Sequence, residues 1–344
     1  MSPLAGHYWT LAVPTRNALR PVEAPLSVPW KLRLEDERIG TVSLTGLLRR
    51  VPNSLSLVMV VHGLGGRITG SYCVRAAIAA ERARIATLRL SLRGADRQGE
   101  DFYHAGLTAD LHAAVASPAA SRYRRIYVLG YSLGGHVALR FATEVQDPRV
   151  KAVAAVCPPL DLALAAAAFD LRIAWFYRAW LLRDIKALYA EVAARRTVPT
   201  PVDVVRRVRH IRDFDALTVV PRFGFRDVDD YYSSMSVAPK LRELRVPSLV
   251  VASEQDPLVP AEVVRPALAS TAPHLSVRWV RRGGHVGFSP ALDLGVPGPL
   301  GLENQIMSWL HAQQRTEELS CDDEARDAQV QQSSSQSSGV LLLD

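Results

Sequence analysis

Two hydrophobic rhythms alternate along most of this chain. The continuous apolar run "LSLVMVVHG" and the strand-like "RIATLRLSLRG", "RIYVLGY" and "VKAVAAVCPP" have the length of strands in a buried sheet. Between them lie "SYCVRAAIAAERA", "GLTADLHAAVAS" and "LGGHVALRFATEV", where apolar positions recur at the spacing of one helix face. Repeated strand–helix succession predicts a mainly parallel sheet with helices on both faces. The rhythm breaks at Leu160. From there to about Ala238 the pattern is helical, with Tyr177, Leu181, Ile185, Leu188 and Val192 at helical spacing. It resumes with "RVPSLVVASEQDP", helix-like "AEVVRPALAS", strand-like "LSVRWV" and a last helix in "ENQIMSWLHAQQ". The middle block, residues 160–238, therefore reads as a helical cap inserted into one α/β domain over 30–313. Residues 1–29 are proline-rich and poorly periodic, which predicts an irregular N-terminal arm. Residues 314–344 are rich in Ser and Gln and predict a disordered tail.

Composition narrows the function classes. Of 344 residues 48% are hydrophobic, enough for the core that a domain of this length needs. The net charge of +7 would suit an anionic partner, but the arginines are interspersed with acids. No nucleic-acid motif accompanies them, so no nucleic-acid partner is expected. Cys73, Cys157 and Cys321 share neither metal-ligand nor redox spacing, which points to reduced thiols and a cytoplasmic location. The start "MSPLAGHYWTLAVP" has no basic stretch followed by an apolar run, so no signal peptide is expected. The most apolar region, Val150 to Tyr177, is broken by Pro158, Pro159, Asp161, Asp170 and Arg172, which argues against stable membrane insertion. The glycines at 63–66 precede no Gly-Lys-Ser/Thr, and neither a dinucleotide fingerprint nor a metal-ligand constellation is present, so no cofactor is expected. The oligomeric state stays open.

The chemistry concentrates at Gly130-Tyr131-Ser132-Leu133-Gly134, where a buried strand turns into a helix. A sharp corner of this kind exposes its central residue above the sheet edge, and flanking glycines let the backbone pass without Cβ clashes. Ser132 is thus a candidate nucleophile, with its hydroxyl at the positive end of the following helix. A serine hydroxyl needs a base. Of the histidines that follow, His136 lies within the same helix, His210 in the cap, His274 before a strand and His311 in the last helix. His285, in the glycine-rich loop "RRGGHVGF" after the final strand, is placed to swing over the corner. The acid that orients it should come from the end of the preceding strand, where "ASEQDPLVP" offers Glu254 and Asp256. Asp256, followed by a proline turn, is the choice; Asp161 is the rival, with helix N-capping as its alternative role. Oxyanion donors are expected from the backbone N–H of Leu133 and, in "HGLGG", of Leu64. His62 reads as a brace for that loop.

These residues resemble the α/β-hydrolase superfamily and, within it, the YheT-type hydrolase/esterase branch. The matching segments are "HGLGG", "LSLRGAD" followed by "FYHAGLTADL", "GYSLGG", "FGFRDVDDYYSSMS", "LRELRVPSLVVASEQDPLVP" and "GGHVGF", in order between about Arg38 and Leu310. The resemblance implies an α/β-hydrolase fold with an inserted helical cap, and the triad Ser132, Asp256 and His285. Family members usually begin with an Asn-Pro-His-Leu-Gln-Thr-like segment, which "AGHYWTLAVP" matches only loosely. Membrane-anchored relatives carry an N-terminal transmembrane helix; no stretch here reads as one, so none is expected.

The leading functional reading is a serine hydrolase that cleaves small-molecule carboxylic esters through an acyl-enzyme. Acyl transfer to an alcohol shares the chemistry up to that intermediate, and a lipase or a non-catalytic binding scaffold are the other readings. The cap holds Trp175, Phe176, Tyr177, Trp180, Phe214, Phe223 and Phe225 beside many arginines. It is expected to supply an apolar roof near Ser132 without a membrane role, which favours short- to medium-chain acyl esters.

Overall fold

The computed structural model describes residues 4–171, 175–269 and 272–313. The predicted disordered tail over 314–344 lies outside the described residues. Eight strands form one sheet: β1 (Val28–Asp36), β2 (Gly40–Arg49), β3 (Ser56–Val61), β4 (Ala86–Ser91), β5 (Arg125–Tyr131), β6 (Val150–Val156), β7 (Ser248–Ser253) and β8 (Leu275–Val280). Their order is β1-β2-β4-β3-β5-β6-β7-β8. From β4 to β8 every neighbouring pair is parallel, while β1, β2 and β4 pair antiparallel.

Sequence and burial agree in the sheet. β3, β5 and β7 are buried along essentially their whole length, as unbroken apolar runs require between two helical layers. Side chains alternate across β3: Leu57, Met59 and Val61 join one core cluster, Val58 and Val60 the other. The second cluster is closed by α2 (Ser71–Arg82) and a last helix, α12, over 302–313, through residues such as Ala76, Ile306 and Leu310. The first is covered by α3 (Ala109–Ala116) and α4 (Leu133–Glu144). The β1–β2 hairpin lies beyond the α/β alternation read from the apolar runs. Its alternation is the signature of a half-solvated ribbon, with Val42, Leu44 and Leu48 inward and polar neighbours outward.

Between β6 and β7 the described residues form the helices α5 (Leu162–Asp170), α6 (Trp175–Ala193), α7 (Val202–Arg207), α8 (Ile211–Leu217), α9 (Val219–Phe223) and α10 (Val228–Met235). A 3₁₀ turn over Ala238–Glu243 returns the chain to the sheet, and α11 (Ala261–Leu268) joins β7 to β8. Tyr231 and Tyr232 of α10 tie the insertion down. The Tyr231 hydroxyl accepts from Ala105 N–H at 3.1 Å, and the Tyr232 hydroxyl donates to Asp215 at 2.7 Å. Arg93 of "LSLRGAD", fully buried, bonds Asp110 of "GLTADL" at 2.8 Å and Asp36 of β1 at 2.7 Å.

The N-terminus corrects one expectation. Within the expected irregular arm, Leu4–Leu19 form a helix, α1, with Pro14 inside it, and the described stretch without regular structure is 20–27. A proline costs an interior helix bond, so propensity alone disfavours this helix. Docking decides it, because α1 packs its Gly6 backbone against Gln255 and Trp9 against Gly287.

Candidate active site

At the exit of β5 the backbone reverses sharply. Ser132 has φ 52° and ψ −122°, a conformation that costs a non-glycine residue about 1–3 kcal/mol. Neighbouring glycines make the corner possible: a Cβ at Gly130 would run into the Gly134 carbonyl, and one at Gly134 into the carbonyl of His62. Ser132 accepts the Gly135 and His136 N–H groups through its own carbonyl, at 2.8 and 3.1 Å, which starts α4. The serine is therefore set at the helix N-terminus, where the aligned peptide dipoles favour negative charge.

Asp256 and His285 meet directly. Asp256 follows β7 and is buried; its Oδ1 accepts from Leu258 N–H at 2.8 Å and Val259 N–H at 2.9 Å. His285 Nδ1 lies 2.8 Å from Asp256 Oδ2 and 3.1 Å from Oδ1. A carboxylate accepts only, so Nδ1 carries the proton and Nε2 is the free base. Ser132 and His285 line the same cavity, but no hydrogen bond joins them among the described residues. The rivals lie elsewhere. His136 is buried with Nδ1 on Pro159 O and Nε2 on Met235 O; His210 pairs with Asp170; His274 and His311 are exposed. Glu254 is exposed and faces Arg265, and Asp161 caps α5 by accepting from Leu164 N–H at 2.9 Å.

The loop after β3 abuts the corner: a Cβ at Gly63 would lie 3.0 Å from that of Ser132. Two tyrosines, Tyr103 buried and Tyr72 half-buried, brace this loop, and neither stood out in the sequence. Gly63 N–H donates to Tyr72 Oη at 3.3 Å and Gly65 N–H to Tyr103 Oη at 2.8 Å. Between them the Leu64 N–H, like that of Leu133, has no partner among the described residues. His62 is fully buried and donates from Nδ1 to Gly63 O at 2.8 Å while Nε2 accepts from Leu92 N–H at 3.2 Å. Burial pushes its pKa down to about 4, so it stays neutral.

Over these groups lies a cavity of about 750 Å³. Its roof comes from the insertion, through Phe176, Tyr177, Trp180, Leu181, Leu188 and Phe214. Trp175, Phe176 and Trp180 are also substantially exposed. Asp215 of α8 is a polar exception in the lining. Burial lifts its pKa to about 7, against the hydrogen bond from Tyr232. One cluster has the composition of a metal site: atoms of Cys157, Asp256 and His285 lie within 4.8 Å of one another. The residues fit a metal poorly. Burial holds the Cys157 thiol protonated, with the Asp256 charge acting in the same direction, and His285 Nδ1 is already committed to Asp256.

Among the described residues no helix is long and apolar enough to cross a membrane. Residues 57–293 match the alpha/beta hydrolase family. Over 271 residues the chain is 28% identical to YheT of Escherichia coli, whose name assigns it provisionally to the esterases; the match covers 74% of this chain and 76% of YheT. It is 26% identical over 241 residues to the medium-chain fatty acid ethyl ester synthase/esterase 2 of Saccharomyces cerevisiae, covering 60% of this chain and 52% of that protein. The embryogenesis-associated protein EMB8 of Picea glauca is 24% identical over 85% of this chain and 65% of its own length. The Pyrococcus furiosus esterase Pf2001 superimposes with a TM-score of 0.50 over 77% of this chain and 90% of that one, at 18% identity, a likeness of fold. With the family match spanning most of the sheet, the insertion and the loops that carry Ser132, Asp256 and His285, the chain belongs to the α/β-hydrolase family and is YheT-like.

Proposed function

We propose that this hydrolase cleaves carboxylic esters of short to medium acyl chain through an acyl-enzyme. The observation that carries the reading is the Asp256–His285 pair, with its free nitrogen opening on the apolar cavity that also exposes the strained Ser132. In the proposed cycle His285 Nε2 takes the proton of Ser132 as Oγ attacks the ester carbonyl. The developing oxyanion is met by the Leu64 and Leu133 N–H groups and by the start of α4. Asp256 stabilises the imidazolium, which then protonates the departing alcohol. Water repeats the sequence on the acyl-enzyme, with His285 again the base, and frees the acid.

The volume and apolar roof of the cavity support an acyl chain as the buried part of the substrate. Each methylene buried should contribute about 0.8 kcal/mol, so kcat/KM for p-nitrophenyl esters should rise about fourfold per added carbon until the cavity is full. A flat response from acetate to octanoate would refute acyl binding there. A fluorophosphonate probe should label Ser132 and no other serine; a folded protein that resists it is a binding scaffold. Acyl transfer is the second reading, favoured by the name of the yeast ester synthase/esterase relative. Ester formation exceeding hydrolysis when ethanol is added would select it. The two buried free thiols, Cys73 and Cys157, support the cytoplasmic reading.

A further inference from the structure

α1 contacts the loop that carries His285 directly, through Thr10. The loop that carries His285 is folded back on itself: Gly283 and Phe288 form an isolated bridge, and Gly284 N–H donates to Gly287 O at 2.8 Å. That turn leaves the N–H of His285 pointing away from the loop. Thr10 of α1 receives it, with Oγ1 2.8 Å from His285 N. The same hydroxyl donates to Gly6 O, one turn back, at 2.8 Å, so both its hydrogen-bonding roles are committed. The fit is tight on both sides. A side chain at Gly284 would strike Gly6 O and Thr10, one at Gly287 would strike Trp9 O, and one at Gly6 would strike Gln255 O, beside Asp256.

The helix also reaches the insertion. His7 Nδ1 lies 2.9 Å from Tyr177 Oη, and the two rings stack with centroids 5.6 Å apart and planes 7° from parallel. Thr10 and Leu11 line the cavity with Tyr177. α1 thus bridges the histidine loop and the start of α6.

We propose that α1 is a wall of the active site, in which Thr10 is a positioning residue for His285 and His7 anchors the insertion at Tyr177. The proposal rests on the serine-hydrolase reading above. Asp256 fixes one end of the imidazole, and Thr10 fixes the backbone from which the ring hangs. With only the first contact the ring can tilt about Nδ1, and Nε2 loses its aim at Ser132.

The test is steady-state hydrolysis of p-nitrophenyl butyrate by the full chain carrying Thr10→Val, Thr10→Ser, Gly6→Ala or Ser132→Ala, with melting temperatures for each. Thr10→Val keeps the shape and removes the acceptor; kcat should fall by about 10- to 100-fold, the scale of a small misplacement of a reacting group, while KM stays near its normal value. Thr10→Ser keeps the hydroxyl and should restore kcat. Gly6→Ala drives its new methyl into Gln255 O and loosens the docked helix, so the melting temperature should fall in either case, while a bystander α1 predicts normal rates. A wall predicts lost kcat, because the new methyl pushes α1 off Gln255. Normal kcat in both Thr10→Val and Gly6→Ala, or equal loss in Thr10→Ser and Thr10→Val, overturns the proposal. If Ser132→Ala keeps its turnover, the hydrolase reading falls and this one with it. If Ser132→Ala is inactive while Thr10→Val and Gly6→Ala are normal, only the role of α1 falls. Should Thr10→Val not fold, Gly6→Ala decides.

Discussion

Replacing Asp256 by Asn should change the protonation of a histidine without changing the shape of the site. Oδ1 of Asp256 accepts two backbone N–H groups, from Leu258 and Val259. An asparagine must keep its carbonyl oxygen there, because an NH₂ group would face two donors and leave all of them unpaired. The amide NH₂ then takes the place of Oδ2, 2.8 Å from His285 Nδ1. It can only donate, so Nδ1 must give up its proton and Nε2 must carry it. A protonated Nε2 cannot take the proton of Ser132, and the charge that supported the imidazolium is gone. Loss of both is worth about 10⁴ in kcat, or roughly 5 kcal/mol of transition-state stabilisation. The fold should be nearly unaffected, because every hydrogen bond at Asp256 is replaced. Ester hydrolysis at pH 7.5 and thermal melting read the two effects apart. Asp161→Ala is the control. It removes the cap on Leu164 N–H, costs about 1 kcal/mol of stability and should leave turnover alone. An Asp256→Asn enzyme within tenfold of normal, or an inactive but folded Asp161→Ala enzyme, would refute the assignment of the acid.

Three further outcomes follow from the same geometry. Ser132→Ala and His285→Ala should each cut kcat by several powers of ten, and the double variant should be little worse than either, since the two act as a unit; additive losses would break that link. Arg93→Met strands the buried carboxylate of Asp110, while Asp101 keeps Arg222 at 2.9 Å, so urea unfolding should show a loss of about 3–5 kcal/mol; a loss below about 1 kcal/mol would show that the network is incidental. Asp215→Asn should stabilise the protein, and more so at alkaline pH. The folded-state pKa of about 7 exceeds the ordinary 3.8, so the native state holds a proton that the unfolded chain releases. Stability is therefore lost as pH rises through that window, and the penalty is complete above pH 7. Melting curves at pH 5 and pH 8 should show the larger gain at pH 8; equal gains would mean that Asp215 ionises freely.

Much of the candidate site is legible in the sequence because the segments that carry its residues have local signatures. Gly130 and Ser132 encode a strained corner locally, since a Cβ at Gly130 would strike Gly134 and Gly135, whereas Gly134 is needed because the corner packs on Val61 and His62 at the end of β3. His285 and Asp256 could be placed because each follows a strand of recognisable apolar pattern, and parallel strands deliver their following loops to one edge of the sheet. The hairpin of β1 and β2 carried its own alternating signal, in "WKLRLED" and "TVSLTGLLR", weaker than the buried runs because half of each strand faces solvent.

What the sequence by itself determined, then, are the features whose energy is settled within a few residues: strand runs, helix faces, the serine corner. Tertiary structure alone decided the features that depend on partners far along the chain. Thr10 meets His285 across 275 positions and His7 meets Tyr177 across 170, and no period or motif foretells such meetings. The same holds for Tyr72 and Tyr103, whose hydroxyls single out the Leu64 N–H by occupying its neighbours, and for Asp215, whose raised pKa comes from burial alone. α1 shows the contest most plainly. Pro14, the prolines flanking it at 3, 21, 25 and 29, and the missing period argued for an irregular arm. The helix forms because glycines at 6, 284 and 287 let two backbones come close enough to pack, and that contact exists only once the sheet has placed the His285 loop beside it.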